Sequence, residues 1–207
     1  MNEQIQKLLN GYYSEKLKLH GPVYKGADWG SLQAQQISFA QLSRLITAED
    51  PSLLDYGCGY GALYDFLKEQ QLKTRYTGFD ISEEMLAHAK KLHATENAEW
   101  IGCLPKNALY DYVIACGIFS IRLDIPTAEW EEHTLQTLQK INALSKKGFA
   151  FNSLTSYSDA HLMKDHLYYP DPAFLFDYCK KHFSKYVSLI HDYPKYEFVI
   201  IVRKDVE

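Results

Sequence analysis

Long apolar runs, a basic excess and paired cysteines are all missing from this 207-residue sequence. Its longest largely apolar run, Tyr112 to Ile121, is half as long as the ~20 residues a bilayer-spanning helix requires. The opening stretch MNEQIQKLLNGYYSEK lacks the apolar segment of a secretory leader, so a cytoplasmic protein with no membrane partner is expected. Lys and Arg total 22 against 26 Asp and Glu, a net charge of −4. The basic stripe that attracts phosphate backbones is therefore absent, and a nucleic-acid partner is disfavoured. The four cysteines, Cys58, Cys103, Cys116 and Cys179, form no CxxC pair and read as small buried apolar residues. The closest histidine pairs, His88 with His93 and His161 with His166, stand five apart, an awkward spacing for two ligands on one helical face. No metal is expected.

What is present is an ordinary core-forming composition, 46% hydrophobic and 23% charged, with no repeat or linker-like tract. We expect one structural domain in two parts, an N-terminal helical extension or lid over residues 1–50 and a core over 51–207. In the extension, Ser31 can cap a helix whose apolar stripe runs Leu32, Phe39, Leu42, Ile46, ended by Asp50-Pro51. From Pro51 the pattern becomes strand, glycine-rich turn, helix, strand, helix, in units short enough to give parallel strands. Strands are expected at Leu53–Tyr56, Thr74–Asp80, Glu99–Cys103, Asp111–Ile118 and Phe149–Leu154. Ser82 with Glu83 and Glu84 reads as the cap and first turn of a helix to about Leu92. A second helix is striped by Trp130, Thr134, Leu138 and Ile141 and ends at Lys147-Gly148. Asp171-Pro172 opens a last helix through His182. Two strand-like runs, Tyr186–His191 and Tyr196–Arg203, close the chain as an antiparallel pair because their connection is short.

Residues 53 to 63 read Leu-Leu-Asp-Tyr-Gly-Cys-Gly-Tyr-Gly-Ala-Leu, an apolar strand running into Asp55, then Gly57, Gly59 and Gly61, then an amphipathic helix. Such a turn brings a ligand close to the backbone and to unpaired N–H groups at a helix start. In an open α/β sheet it lies at the carboxyl end of a central strand, where ligands bind. Twenty-five residues after Asp55, the second strand ends in Asp80, placed to accept the ribose hydroxyls of an adenosine. Two cofactors satisfy this geometry. Gly57-x-Gly59-x-x-Ala62 matches the dinucleotide fingerprint, which keeps an NAD(P)-dependent oxidoreductase open. Asp55, just before the first glycine, repels a pyrophosphate and attracts the ammonium of a methionine moiety, which favours S-adenosylmethionine.

Asp55-Tyr56-Gly57-Cys58-Gly59-Tyr60-Gly61 resembles the first motif, (D/E)-x-G-x-G-x-G, of the class I S-adenosylmethionine-dependent methyltransferases. The resemblance extends through Asp80 to Asp111–Gly117 and covers roughly residues 50 to 155. Small free-standing bacterial members are similar outside the core, in GADW, LTSY, HLYYPD and HDYPKYEF. The resemblance implies a Rossmann-like three-layer α/β/α sandwich with a seven-stranded, mostly parallel sheet closed by an antiparallel β-hairpin. It also implies S-adenosyl-L-methionine as cofactor and S-adenosyl-L-homocysteine as product, held by Asp55, Gly57, Cys58, Gly59, Gly61, Asp80 and Cys116. One departure stands out. Where family members often carry an acid for the adenine amino group, this chain has Trp100-Ile101-Gly102-Cys103-Leu104. Cys103 is a weak acceptor, so adenine contacts are expected from a backbone carbonyl and from apolar walls such as Ile81 and Leu104.

Around this core, Trp29 can wall the positive sulfonium or pack the N-terminal helix. His166, His191 and Tyr157 are candidates for a proton-accepting role, and Arg122, Tyr169 and Tyr24 for acceptor binding. The expected reaction is in-line methyl transfer to a small-molecule acceptor, with oxygen slightly favoured over nitrogen, by a monomer or homodimer. A non-catalytic S-adenosylmethionine-binding module is the other alternative.

Overall fold

The strands read as nearly continuous apolar runs because both faces of the sheet are covered, as parallel sheets require. A computed structural model describes residues 3–94 and 97–204. After two leading helices, α1 (Glu3–His20) and α2 (Leu32–Ser43), the chain runs β1 (Ser52–Tyr56), α3 (Ala62–Glu69), β2 (Arg75–Phe79), α4 (Glu83–Leu92) and β3 (Ala98–Ile101). It continues through β4 (Tyr110–Ala115), α5 (Thr127–Leu144), β5 (Ser145–Leu154), α6 (Pro172–His182), β6 (Tyr186–Ile190) and β7 (Glu197–Arg203). The seven strands lie in the order β3-β2-β1-β4-β5-β7-β6. All pairings are parallel except β5 with β7 and β6 with β7. The expected Rossmann-like sandwich with its closing antiparallel hairpin is thus observed. No helix among the described residues is long and apolar enough to cross a membrane.

Alternation along each strand divides the core between the two faces. Leu53, Tyr76, Ile114, Val199 and Ile201 pack with Phe39 and Leu42 of α2, Leu63 and Leu67 of α3 and Leu86 of α4. Leu54, Tyr56, Phe79, Val113, Phe198 and Ile200 face the other way, onto Leu138 and Ile141 of α5 and Leu175 and Cys179 of α6. Capping follows the sequence closely. The side chains of Ser31, Ser82 and Asp171 accept hydrogen bonds from Ala34 N, Met85 N and Ala173 N. Helix α1 bridges two sites, with Ile5 packing on Ile125, Trp130 and Tyr168 and Leu17 on Tyr60 and Met85.

The β3–β4 connection, residues 102–109, contains no helix. It must pass β2 and β1, three interstrand steps of about 4.8 Å, while also returning the length of a strand. At about 1.5 Å per residue a helix of eight residues falls short, whereas an extended chain at about 3.3 Å per residue reaches. The α5 side of β1, β2 and β3 is consequently left without a helix of its own.

Several boundaries differ from expectation. Helix α2 ends at Ser43, ahead of Asp50-Pro51, and its buried face is Gln35, Ser38, Phe39 and Leu42, with Leu32 exposed. Strand β4 stops at Ala115, since the chain turns at Gly117, where φ is 75°. Lys147-Gly148 lies inside β5 instead of ending the preceding helix. Glycine is needed there because a Cβ would stand 2.3 Å from the backbone oxygen of Val202 on β7. Cys103 is exposed, unlike the buried Cys58 and Cys179. Gly148→Ala is expected to lower the unfolding free energy by about 1–3 kcal/mol, the usual cost of overpacking, as read from urea denaturation.

Candidate active site

Chain reversal at the end of β1 is compact enough that two of its glycines have no alternative. Gly57 has φ 86°, and a Cβ there would stand 2.4 Å from Ile118; Gly61, at φ 94° before α3, would meet the Trp100 ring at 2.5 Å. The N–H groups of Gly57 and Cys58 both donate to the carbonyl of Phe79, at 2.8 and 3.0 Å, tying the turn to the end of β2. Asp80 completes the tie. One carboxylate oxygen accepts from Gly59 N and the other from Ser82 N, each at 2.8 Å. A carboxylate offers roughly four acceptor positions, so two remain for a ligand. Burial pushes the Asp80 carboxyl up, against the pull of the Ser82 and Gly59 amides.

Asp55 ends 2% exposed. The Tyr76 hydroxyl donates to it at 2.5 Å. Burial pushes its pKa up to about 7, with the neighbouring Asp80 charge adding to the rise. Because this folded-state value lies above the ordinary carboxylate range, the protonated acid favours folding at low pH, and that contribution is lost as pH rises through about 7. Among the described residues neither acid forms a salt bridge.

Both carboxylates border a cavity of about 660 Å³, a volume ordinary for a small-molecule site. Of the sequence candidates, Trp29, Asp55, Gly57, Cys58, Gly59, Asp80, Ile81, Cys116 and His166 line it. Burial, reinforced by nearby carboxylates, raises the Cys58 and Cys116 thiols well above their usual range, so neither is a thiolate nucleophile.

The other candidates lie off the cavity wall. Gly61 packs against Trp100. Cys103 is exposed, with its thiol directed to the Leu104 carbonyl, and Leu104 packs in the α5-side core with Ile81. Arg122 spends its guanidinium on the carbonyls of Leu167, Leu123, Ile125 and Asp165, pinning the late loop beside the β4–α5 connection. Tyr169 accepts from Lys164 N, and Tyr24 carries Lys25 over its ring. Tyr157 and His191 pair with each other, ring centroids 5.9 Å apart, and both are exposed. A turn closed by Tyr157 N to Thr155 Oγ1 and Ser156 N to the Pro170 carbonyl holds Tyr157 in that position.

Sequence inspection missed two cavity residues, Lys195 and Glu197. Lys195 holds its ammonium 4.6 Å from the Trp29 ring centroid and donates to Ala34 O, Ser38 Oγ and Glu197 Oε2. Its three donors are thereby used. Buried Glu197 also accepts from Ser38 and Tyr193. Tyr13 of α1 lines the cavity too, its hydroxyl pushed up by burial and then by the charges of Asp28 and Asp80. The segment HDYPKYEF was visible in the sequence, but the pairing of its lysine and glutamate with α2 was not.

Two unpaired carboxylates beside a glycine cradle suit a ligand that brings positive charge and two ribose hydroxyls, and they repel a pyrophosphate. S-adenosylmethionine, with its ammonium and sulfonium, has that chemistry. Comparisons with known proteins agree. A family profile described as a methyltransferase domain matches residues 54–148. The Mycobacterium tuberculosis (strain ATCC 25618 / H37Rv) protein named "Putative methyltransferase Rv1506c" is 50% identical over 163 residues, covering 78% of this chain and 98% of that one. Among solved structures, magnesium protoporphyrin IX methyltransferase (ChlM) from Synechocystis PCC 6803 with bound SAM has a TM-score of 0.67 at 16% identity, covering 96% of this chain and 97% of that chain. The plantazolicin methyltransferase BpumL, in complex with a pentazolic desmethylPZN analog and SAH, has a TM-score of 0.63 at 13% identity, covering 99% and 100%. The chain belongs to the class I S-adenosylmethionine-dependent methyltransferase family. Its cofactor is S-adenosylmethionine and its product S-adenosylhomocysteine.

Asp80→Ala is expected to abolish S-adenosylhomocysteine binding in calorimetry, because it removes the acid expected to accept from the ribose and unties Gly59 from Ser82. Gly57→Val is expected to do the same by forcing a branched side chain against Ile118. Wild-type affinity in either variant would remove these residues from the cofactor site.

Proposed function

We propose that the enzyme methylates a small, uncharged acceptor with an aromatic or apolar frame, preferably on oxygen, and that His166 takes the proton. The carrying observation is the character of the cavity. It is bordered by Tyr12 and Tyr13 of α1, Trp29 and Phe119; of the lysines on its wall, Lys195 is engaged by Glu197 and Lys16 by Asp28, and Lys164 is exposed to solvent. A carboxylate or phosphate acceptor would therefore find no free buried cation, whereas a hydroxyl on an apolar frame is accommodated.

In this scheme Asp55 holds the methionine ammonium and Asp80 the ribose hydroxyls, while the glycine turn admits the cofactor against the backbone. The bound cofactor supplies an activated methyl group with its leaving group attached, and the protein contributes alignment and exclusion of water. Residues 1–50 act as a lid on the core of residues 51–207. Helix α1 is the covering element, since its packing on Tyr168 and Ile125 at one end and on Tyr60 at the other spans the cavity mouth. The absence of a basic surface excess favours a cytoplasmic, small-molecule role over one on nucleic acid. A hydroxyl acceptor must lose its proton as the carbon–oxygen bond forms. Of the three sequence candidates for a proton acceptor, His166 is the one that lines the cavity, which supports giving it this role.

Incubation with methyl-labelled S-adenosylmethionine and a matched panel of aromatic alcohols, amines and carboxylates tests the proposal. Label is expected in alcohols. His166→Ala should leave S-adenosylhomocysteine affinity within about twofold and lower turnover by roughly 10²-fold, the typical contribution of a general base. His191→Ala and Tyr157→Phe should keep wild-type turnover. Label confined to amines or carboxylates, or full turnover in His166→Ala, would contradict the proposal.

A further inference from the structure

The acid that family members often place after β3 for the adenine amino group is absent, and its counterpart Cys103 is exposed and turned toward its own neighbour's carbonyl. A different pair of polar groups stands without partners inside the cavity. His133 and Thr137 line it at 7% and 3% exposure, and His133 Nδ1 and Thr137 Oγ1 are sealed from solvent with no hydrogen-bond partner. Leaving such groups unsatisfied costs about 1–3 kcal/mol each, so a ligand that the two side chains turn to meet gains accordingly.

Their place on α5 fixes which part of the cavity they face. They are i and i+4, neighbours on one helical flank. On another flank Gln139 donates to Tyr178 of α6 at 3.1 Å, which directs that side of α5 toward β6 and β7, where α6 packs. His133 and Thr137 are thus turned the other way, toward the carboxyl ends of β1 and β2. There Tyr56 and Phe79, ring centroids 5.0 Å apart, project from the sheet on the α5 side, and Ile81 follows directly after Asp80. Tyr56, Phe79, Ile81 and Ile118 line the same cavity. The direct β3–β4 link leaves this face without a helix of its own, and Leu104 of the link packs there beside Ile81.

We propose that His133 and Thr137 are the base-recognition groups of the cofactor site, hydrogen-bonding the amino edge of adenine in the role the missing acid would fill. This rests on S-adenosylmethionine being the cofactor. In this assignment Thr137 Oγ1 accepts from the amino group, and His133, in the tautomer protonated on Nδ1, donates to the neighbouring ring nitrogen. Burial depresses the His133 imidazole to about 4, so near neutral pH it is an uncharged partner, suited to a neutral purine. An apolar slot carrying these two groups discriminates between purines by the substituent at position 6, since the wrong group would leave buried atoms unpaired.

Calorimetry with S-adenosylhomocysteine and with S-inosylhomocysteine, which differ in that substituent, tests the assignment. The wild-type protein is expected to prefer the amino compound by at least about tenfold. Thr137→Val and His133→Phe should each weaken S-adenosylhomocysteine binding by roughly tenfold, the loss of one buried hydrogen bond, and change S-inosylhomocysteine binding less than about twofold. Thr137→Val should keep or raise the thermal midpoint, because it replaces an unpartnered buried hydroxyl by a methyl group; should His133→Phe fail to fold, this variant decides alone. Unchanged S-adenosylhomocysteine affinity, or equal losses for both ligands, would overturn the assignment while leaving the cofactor in place. Failure of the wild-type protein to bind S-adenosylhomocysteine would overturn the cofactor assignment itself.

Discussion

Asp55 and Asp80 stand at the ends of adjacent parallel strands and face one cavity, and among the described residues neither forms a salt bridge. Their placement follows from register. Asp55 pairs with Gly78 across the β1–β2 ladder, so the two chain reversals, and the acids beside them, are brought together by the sheet itself. The arrangement is electrostatically costly, and Asp55, shielded from water and accepting from Tyr76, shows the cost in its raised pKa. A cofactor bearing an ammonium and a sulfonium relieves that cost. In the proposed scheme the buried carboxylate is therefore the one that selects the ligand.

Other features of the molecule can be understood as keeping those two carboxylates dry and fixed. The Gly59 and Ser82 amides immobilise Asp80, and the absent Cβ atoms at Gly57 and Gly61 let Ile118 and Trp100 close around the turn. Helix α1 covers the cavity from both ends of its length. At the opposite margin, the buried Lys195–Glu197 pair joins β7 to α2 through Ser38, anchoring the extension to the far half of the sheet. Arg122 performs the corresponding task for the late loop. Lys195 and Arg122 thus both serve architecture.

The sheet and the cofactor turn were legible because their signals are local. Strands covered on two faces are apolar runs, and the motif from Asp55 to Asp80 lies within one βαβ unit. Helix and strand ends were less legible where one residue type serves two purposes. Gly148 has the appearance of a helix stop, yet it is glycine because the Val202 carbonyl passes close by, a contact set by a strand more than fifty residues later. Ile46 of the predicted stripe packs on the core from beyond the end of α2, so apolar spacing alone overextends that helix. The rest of the site depends on distant partners: Ser38 with Glu197, and His133 and Thr137 with the ends of β1 and β2. Tyr157 and His191 show the converse, since both come from loops near the cavity while the backbone at Thr155 directs the tyrosine to solvent.

The most direct measurement of the central claim is proton release on S-adenosylhomocysteine binding, obtained by calorimetry in buffers of different ionisation enthalpy. With the Asp55 pKa near 7 in the free protein, binding of an ammonium selects the ionised carboxylate. About half a proton should leave at pH 7 and progressively less above it, and affinity should weaken by up to about tenfold per pH unit below 7. Asp55→Asn should eliminate the release. Proton-neutral binding with the same affinity at pH 6 and pH 8 would contradict the account, because it would mean that the ligand's positive charge does not meet this carboxylate.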